Sequence, residues 1–223
     1  MTSLRENRSV PLIKICGLTS TEQAQAIAAM GADAIGVIGV EATPRFVEAA
    51  TRRQLFQELE RSASRVRRVW VVANPDDAAL EEALNGVGQP SVVQLHGGES
   101  KERFQSLKKR YLRQQWWKAL RVRKPEDLKH LEEYAPHVDA LLLDAWSADQ
   151  LGGTGHRIPL DWVRETELSV PWWLAGGVSA EWVPELLSRV TPKGLDASSR
   201  LEERPGWKNL DKVQALVEAV KQG

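Results

Sequence analysis

The chain has 223 residues, a length that suits one large domain or two small ones. Its hydrophobic content is 42%, and 30 basic residues cancel 30 acidic ones, so no global field draws it to nucleic acid or to an anionic membrane. The single cysteine, Cys16, excludes an intramolecular disulfide and a cysteine zinc site and fits a reducing cytoplasm.

No apolar run reaches the length of a membrane-spanning helix. Met1 to Val10 is polar and lacks the apolar core of a secretory signal. Residues 1–10 are expected to be a flexible extension. The first predicted strand begins near Leu12 and ends at Cys16, Gly17 permits a sharp turn, and Ser20 or Thr19 can cap a helix over Thr21–Met30. A thiol at that junction is expected to point out of the sheet end rather than into the core. It is either an inert small hydrophobe or a reactive group. Lys14, two residues upstream on the same strand face, is the kind of positive neighbour that a lowered thiol pKa requires.

The second strand begins near Ala34, and the loop after it carries Pro44-Arg45. Arg45 can clamp a planar carboxylate with two parallel hydrogen bonds; the plain alternative is a surface arginine. A helix over Val47–Ser62 and a strand from Val69 follow, then Asn74-Pro75-Asp76 opens a helix over Pro75–Asn85. The fourth strand starts near Val92 and ends in Gln94-Leu95-His96-Gly97. His96 there is either a hydrogen-bonding contact to a substrate or a strut. After a helix over Lys101–Leu112 come a strand near Trp116, a helix over Pro125–Tyr134 and a strand from Ala140 that ends at Asp144. Partial burial of that carboxyl would raise its pKa and let it act as a general acid; a helix-capping role is the alternative. Gly152-Gly153-Thr154-Gly155 forms a glycine-rich turn before a helix over Leu160–Glu165. The seventh strand begins near Trp172 and runs into Gly176-Gly177, ahead of a helix over Ala180–Arg189. The eighth begins near Lys193 and ends in Asp196-Ala197-Ser198-Ser199, ahead of a helix over Leu210–Lys221.

Strict alternation of strand and helix argues for a parallel sheet. Eight such units nearly exhaust 223 residues, so the fold is expected to be a single-domain (β/α)8 TIM barrel over residues 11–223, with an open doubly wound sheet as the alternative. In such a barrel the catalytic groups sit at the C-terminal ends of the strands, and phosphate binds at the loops after strands 7 and 8. The glycine-rich turns at Gly152–Gly155 and Gly176-Gly177, with the strand-8 end at Gly194–Ser199 and its two hydroxyls, therefore point to a phosphate site. No histidine pair has metal-ligand spacing, so no metal is expected. Nine tryptophans are many; Trp182 and Trp207 are expected at the surface, and the set is not read as a nucleic-acid stacking platform.

Taken together, these segments resemble the phosphoribosylanthranilate isomerases of tryptophan biosynthesis. The matching stretches are Lys14-Ile-Cys16-Gly17, Thr43-Pro-Arg45-Phe-Val, Val93-Gln94-Leu-His96-Gly97 with Glu99, Leu143-Asp144-Ala, Gly152-Gly153-Thr154-Gly155, Leu160-Asp161-Trp162, Leu174-Ala-Gly176-Gly177 and Asp196-Ala-Ser198-Ser199 with Glu202, Pro205 and Gly206. The resemblance implies an Amadori rearrangement of N-(5-phosphoribosyl)anthranilate. In it Asp144 is the general acid, Cys16 the general base and Arg45 the holder of the anthranilate carboxylate. Gly153, Thr154, Gly155, Gly176, Gly177, Ser198 and Ser199 would surround the phosphate, and Lys14, Gln94, His96 and Asp196 would complete substrate binding. The resemblance implies no cofactor; the partner is then a small molecule, with neither nucleic acid nor membrane involved, and the chain is expected to act as a monomer in the cytoplasm. The second strand ends Ile38-Gly39-Val40-Glu41, less aromatic than the family's usual version, and two single residues also depart from the family pattern. Gly98 stands where an acidic residue is usual, and Arg200 stands where glycine is common, which would strain the turn if that position had a positive φ.

Overall fold

The eight short apolar runs form β1 (Leu12–Cys16), β2 (Ala34–Ile38), β3 (Arg67–Val72), β4 (Val92–Leu95), β5 (Gln115–Val122), β6 (Ala140–Ala145), β7 (Trp172–Ala175) and β8 (Gly194–Ala197). This is the arrangement in a computed structural model that describes residues 10–145 and 156–222. The strands pair in parallel in sequence order, and β8 closes onto β1. Parallel neighbours need a crossover between them, and helices supply it: α1 (Thr21–Met30), α2 (Ala49–Ser62), α3 (Asp77–Leu84), α4 (Lys101–Arg110), α5 (Lys129–Tyr134), α6 (Leu160–Val163), α7 (Val183–Arg189) and α8 (Leu210–Gln222). The closed barrel is the architecture the alternation predicts, and the open sheet is excluded. The expected extension, apart from Val10, lies outside the described residues.

Both faces of each strand are covered, so the strands read as nearly continuous apolar runs. Alternate residues nevertheless go to different places. Ile13, Ile15, Leu141, Leu143 and Leu174 pack under the helices. Cys16, Val71, Trp117, Ala119, Leu142, Trp173 and Ala175 fill the barrel interior. Trp117 and Trp173 pack together there, their rings tilted by 34° with centroids 4.9 Å apart. The surface placement expected for Trp182 is overturned: it is 5% exposed and belongs to the layer between barrel and helices. The Arg157 guanidinium covers its ring at 4.4 Å, so the outer polar shell is the arginine and the indole lies beneath it. Trp207 is half-buried, under Arg204 at 4.9 Å.

Helix starts differ from the predicted ones where local hydrogen bonds decide. Asn74 takes a positive φ of 48°, and Asp76, not Asn74, caps α3 by accepting from the Ala79 N–H at 2.7 Å. One pair of strands was not anticipated. β9 (Glu202–Arg204) and β10 (Trp207–Lys208) form a small antiparallel hairpin between β8 and α8. Gln23 on α1 clasps it, donating from Nε2 to the Lys208 carbonyl at 2.9 Å and accepting from the Lys208 N–H at 3.0 Å.

Candidate active site

Strand alternation sets the inner wall of the barrel mouth. With Ile13 and Ile15 turned to the helices, Lys14 and Cys16 on β1 must turn inward. The thiol therefore does not point out of the sheet end, as expected from sequence, but lies buried in the top of the inner wall at 7% exposure. Gly36 on the neighbouring strand makes the room, because a Cβ there would stand 2.7 Å from the Cys16 Sγ. Lys14 is fully buried, and its Nζ donates to the Asp196 Oδ2 at 2.7 Å. Burial alone would lower the Lys14 ammonium, but Asp196 and Cys16 beside it outweigh that and raise it. Burial also pushes the Cys16 thiol up; Lys14 pulls it back only in part. The net direction is upward, contrary to the lowered pKa that Lys14 suggested.

Asp144 occupies the inner face of β6, two residues after the interior Leu142. Burial, with the Asp196 carboxylate adding to it, raises its pKa to about 7. It is a carboxyl able to carry a proton at neutral pH, as an acid at this position requires. His96 stands beside it, with Nε2 3.6 Å from the Asp144 Oδ2, too far for a hydrogen bond. Burial, reinforced by Arg121, Lys118 and Lys14, lowers His96 to about 3, so its imidazole is neutral. Cys16 and Asp144 both feel the Lys14–Asp196 ion pair, which places that pair between base and acid candidates. Three buried polar atoms on this wall, the Gln94 Oε1, His96 Nε2 and Asp196 Oδ1, have no hydrogen-bond partner among the described residues. Buried groups of this kind await a ligand's donors or acceptors.

Arg45 is brought to the same region, next to Gly17, but it is already engaged. Its Nε and Nη2 donate to the two Glu202 oxygens at 2.8 and 2.6 Å. Glu202 also accepts from Lys208 Nζ at 2.7 Å, and Lys208 is buried to 1% exposure. Burial pushes the Glu202 carboxyl up, yet Arg45 and Lys208 together hold it below its ordinary value. Ser198, after β8, donates to the Cys16 carbonyl at 2.9 Å and accepts from Lys208. Gly176 and Gly177 follow β7 with φ of 92° and 64°, a conformation that turns successive backbone N–H groups to one side and suits an anion. The α7 helix begins only at Val183, so these amides rather than the helix end face that turn. Gly153, Thr154 and Gly155 lie outside the described residues.

Comparison with known proteins decides the family. The model of the N-(5'-phosphoribosyl)anthranilate (PRA) isomerase family matches residues 13–219. The chain belongs to the phosphoribosylanthranilate isomerase family. Its N-(5'-phosphoribosyl)anthranilate isomerase relative from Thermosynechococcus vestitus is 41% identical, over 95% of this chain and 91% of that one. The phosphoribosyl anthranilate isomerase of Thermotoga maritima superposes with a TM-score of 0.83 at 27% identity, covering 96% of this chain and 100% of that one. A further solved isomerase, in complex with reduced 1-(o-carboxyphenylamino)-1-deoxyribulose 5-phosphate, superposes with a TM-score of 0.78 at 27% identity, with the same coverage.

Both single-residue departures from the isomerase pattern prove local. Gly98 is exposed on its turn, and a Cβ there would meet nothing nearer than the Asn74 Oδ1 at 3.9 Å. Arg200 lies in a 3-10 turn, and among the described non-glycine residues only Asn74 has a positive φ, so the feared strain does not arise. Three residues that the reading for function passed over complete the site's framework: Lys208, Gln23 and Arg121. Gln23 and Lys208 look like solvated polar residues in the sequence. The signal for the hairpin was Pro205-Gly206, with Gly206 at φ 81°, the pattern of a tight turn. Arg121 was legible from β5 alone, two residues beyond Ala119 on the inner face. Glu99 and Lys118 instead brace the wall. Lys118 donates to Glu99 at 2.8 Å and to the Gly97 carbonyl at 2.6 Å, while Glu99 accepts from the Asn74 N–H at 2.6 Å.

Proposed function

We infer that this protein catalyses the Amadori rearrangement of N-(5-phosphoribosyl)anthranilate to 1-(o-carboxyphenylamino)-1-deoxyribulose 5-phosphate, a step of tryptophan biosynthesis. The observation that carries the assignment of roles is the pairing of Cys16 and Asp144 on one inner wall, with the Lys14–Asp196 ion pair between them. Asp144, able to carry a proton at neutral pH, gives its proton to the ribose ring oxygen. The C1–O bond breaks and the nitrogen lone pair forms a Schiff base. Cys16 takes the C2 proton; the C2–H electron pair forms the C1–C2 double bond and the imine electrons return to nitrogen, giving an enolamine that tautomerises to the ketone. The thiol must first become a thiolate, and Lys14 is the nearby cation that favours it.

The phosphate goes to the turn at Gly176 and Gly177 and to Ser198 and Ser199, where backbone N–H groups and hydroxyls are available. The unpaired Gln94, His96 and Asp196 atoms serve the sugar hydroxyls. Arg45, with its Nε and Nη2 held by Glu202, keeps Nη1 for the anthranilate carboxylate. The protein acts as a monomer in the cytoplasm. Supporting this, the large hydrophobic side chains exposed among the described residues are scattered (Val10, Val87 and Leu112) rather than gathered into a patch, and no helix among the described residues is long and apolar enough to cross a membrane. Purified protein given freshly made phosphoribosylanthranilate should accelerate the loss of its fluorescence. Decay at the spontaneous rate would end the isomerase reading, and light scattering at twice the single-chain mass would end the monomer reading.

A further inference from the structure

The catalytic wall contains one cation with no assigned task. On β5, Trp117 and Ala119 face the barrel interior, and the same alternation carries Arg121 inward at the mouth. It stands in direct register with Asp144 across the β5–β6 pairing. Adjacent strands lie about 4.8 Å apart, so two inward side chains in register leave the wall as immediate neighbours. The other cations of the wall are committed. Lys14 serves Asp196, and Lys118 serves Glu99 and Gly97. Arg121 is exposed in the mouth, and among the described residues it makes no hydrogen bond or ion pair. With His96 and Lys118 it lines a cavity of about 290 Å³ that runs toward Asp127, His130 and Tyr134 and does not include Asp144.

We propose that Arg121 is a positioning residue for the proton donor, holding the Asp144 carboxylate once its proton has passed to the substrate. The need follows from what faces Asp144. β8 contributes the Asp196 carboxylate, β1 the Lys14 ammonium already paired with it, and β4 the neutral His96. On the β7 side stand Ala175 and Gly176, without charge. When Asp144 releases its proton, a second carboxylate appears beside Asp196, and Arg121 is the uncommitted cation that can meet it. Arg121 is also the foremost charge keeping His96 neutral, so that His96 does not compete for the transferred proton. The proposal rests on Asp144 acting as the acid of the isomerase reaction.

The test compares Arg121→Gln and Arg121→Lys with the parent protein. Asp144 titration is followed by carbon-13 NMR of labelled aspartate, its signal identified by its loss in Asp144→Asn. The parent midpoint is expected at about 7. Arg121→Gln should raise it by about half to one pH unit, as for a unit charge removed from a partly solvated contact. The limb of the kcat/KM profile that coincides with that midpoint should move with it, KM should stay unchanged, and Arg121→Lys should restore most of the parent behaviour. An unmoved midpoint in Arg121→Gln would overturn the proposal. So would a several-fold rise in KM with the midpoint in place, which would make Arg121 a direct substrate contact. The titration needs no turnover, so an inactive parent protein would sink the isomerase reading and leave this test standing.

Discussion

Cys16 and Asp144 show how one environment acts on two acids. Both lie buried on the inner wall, and burial disfavours the charged form of each. For Asp144 that is an advantage, since a proton donor must hold its proton near neutrality. For Cys16 it is a handicap, which Lys14 offsets in part. Replacing Lys14 should therefore expose the handicap: in Lys14→Met the thiolate absorbance in the ultraviolet should appear at higher pH than in the parent protein. Cys16→Ser and Asp144→Asn should each lower kcat by roughly 10²–10⁴ with the fold intact by circular dichroism. A Cys16→Ser protein with near-parent kcat would remove the thiolate from the mechanism. The identity of these residues was legible because each ends an apolar run. Their ionisation was not. The direction of the Cys16 shift depends on the closure of the barrel around it, and Lys14 two residues away gives no hint of the Asp196 carboxylate that claims it from β8.

The hairpin β9–β10 is the least legible element and one of the most consequential. Its residues are polar, and only the Pro205-Gly206 turn marks it; its strands exist because Gln23 and Glu202 hold them from outside and inside. Glu202 is the hub, a buried carboxylate between Arg45 and Lys208, which are themselves 6% and 1% exposed. Removing one partner of a buried ionic cluster leaves the rest uncompensated. Glu202→Ala should accordingly cost about 3–5 kcal/mol in urea unfolding, more than Arg45→Ala, which leaves the Glu202–Lys208 pair in place. Arg45→Ala should show itself instead as a raised KM with kcat largely kept, because the arginine holds a group remote from the proton transfers. By contrast, α1 and α4 were readable almost to the residue, since Ser20 and Ser100 each cap the helix that follows by accepting from the residue three further on.

At the scale of the whole molecule, the eightfold alternation was legible because parallel strands buried on both faces leave a signal that needs no partner to be seen. The mouth adds a pH dependence to the stability of that barrel. Asp144 has a pKa raised from about 3.9 when unfolded to about 7 when folded, so the folded state binds more protons in that window. Its burial costs more stability as pH rises from about 4 to 7. His96, lowered to about 3, runs the other way: the unfolded imidazole takes a proton below about 6.5 that the folded one refuses, and stability is lost as pH falls. Over mildly acidic pH the two trends oppose each other. Asp144→Asn removes one of them and should raise the urea midpoint at about pH 8, by up to about 4 kcal/mol in stability, with no gain at about pH 4. An equal effect at both values would disprove a titrating Asp144.

The tilted pair Trp117 and Trp173 fills the barrel interior below that mouth. Indoles emit in the near ultraviolet, where an anthranilate ring absorbs. A substrate seated on the wall above them completes an optical donor–acceptor pair inside a single chain, with no dye attached. The packing that closes the barrel floor thus also makes occupancy of the site visible as light passed from protein to substrate.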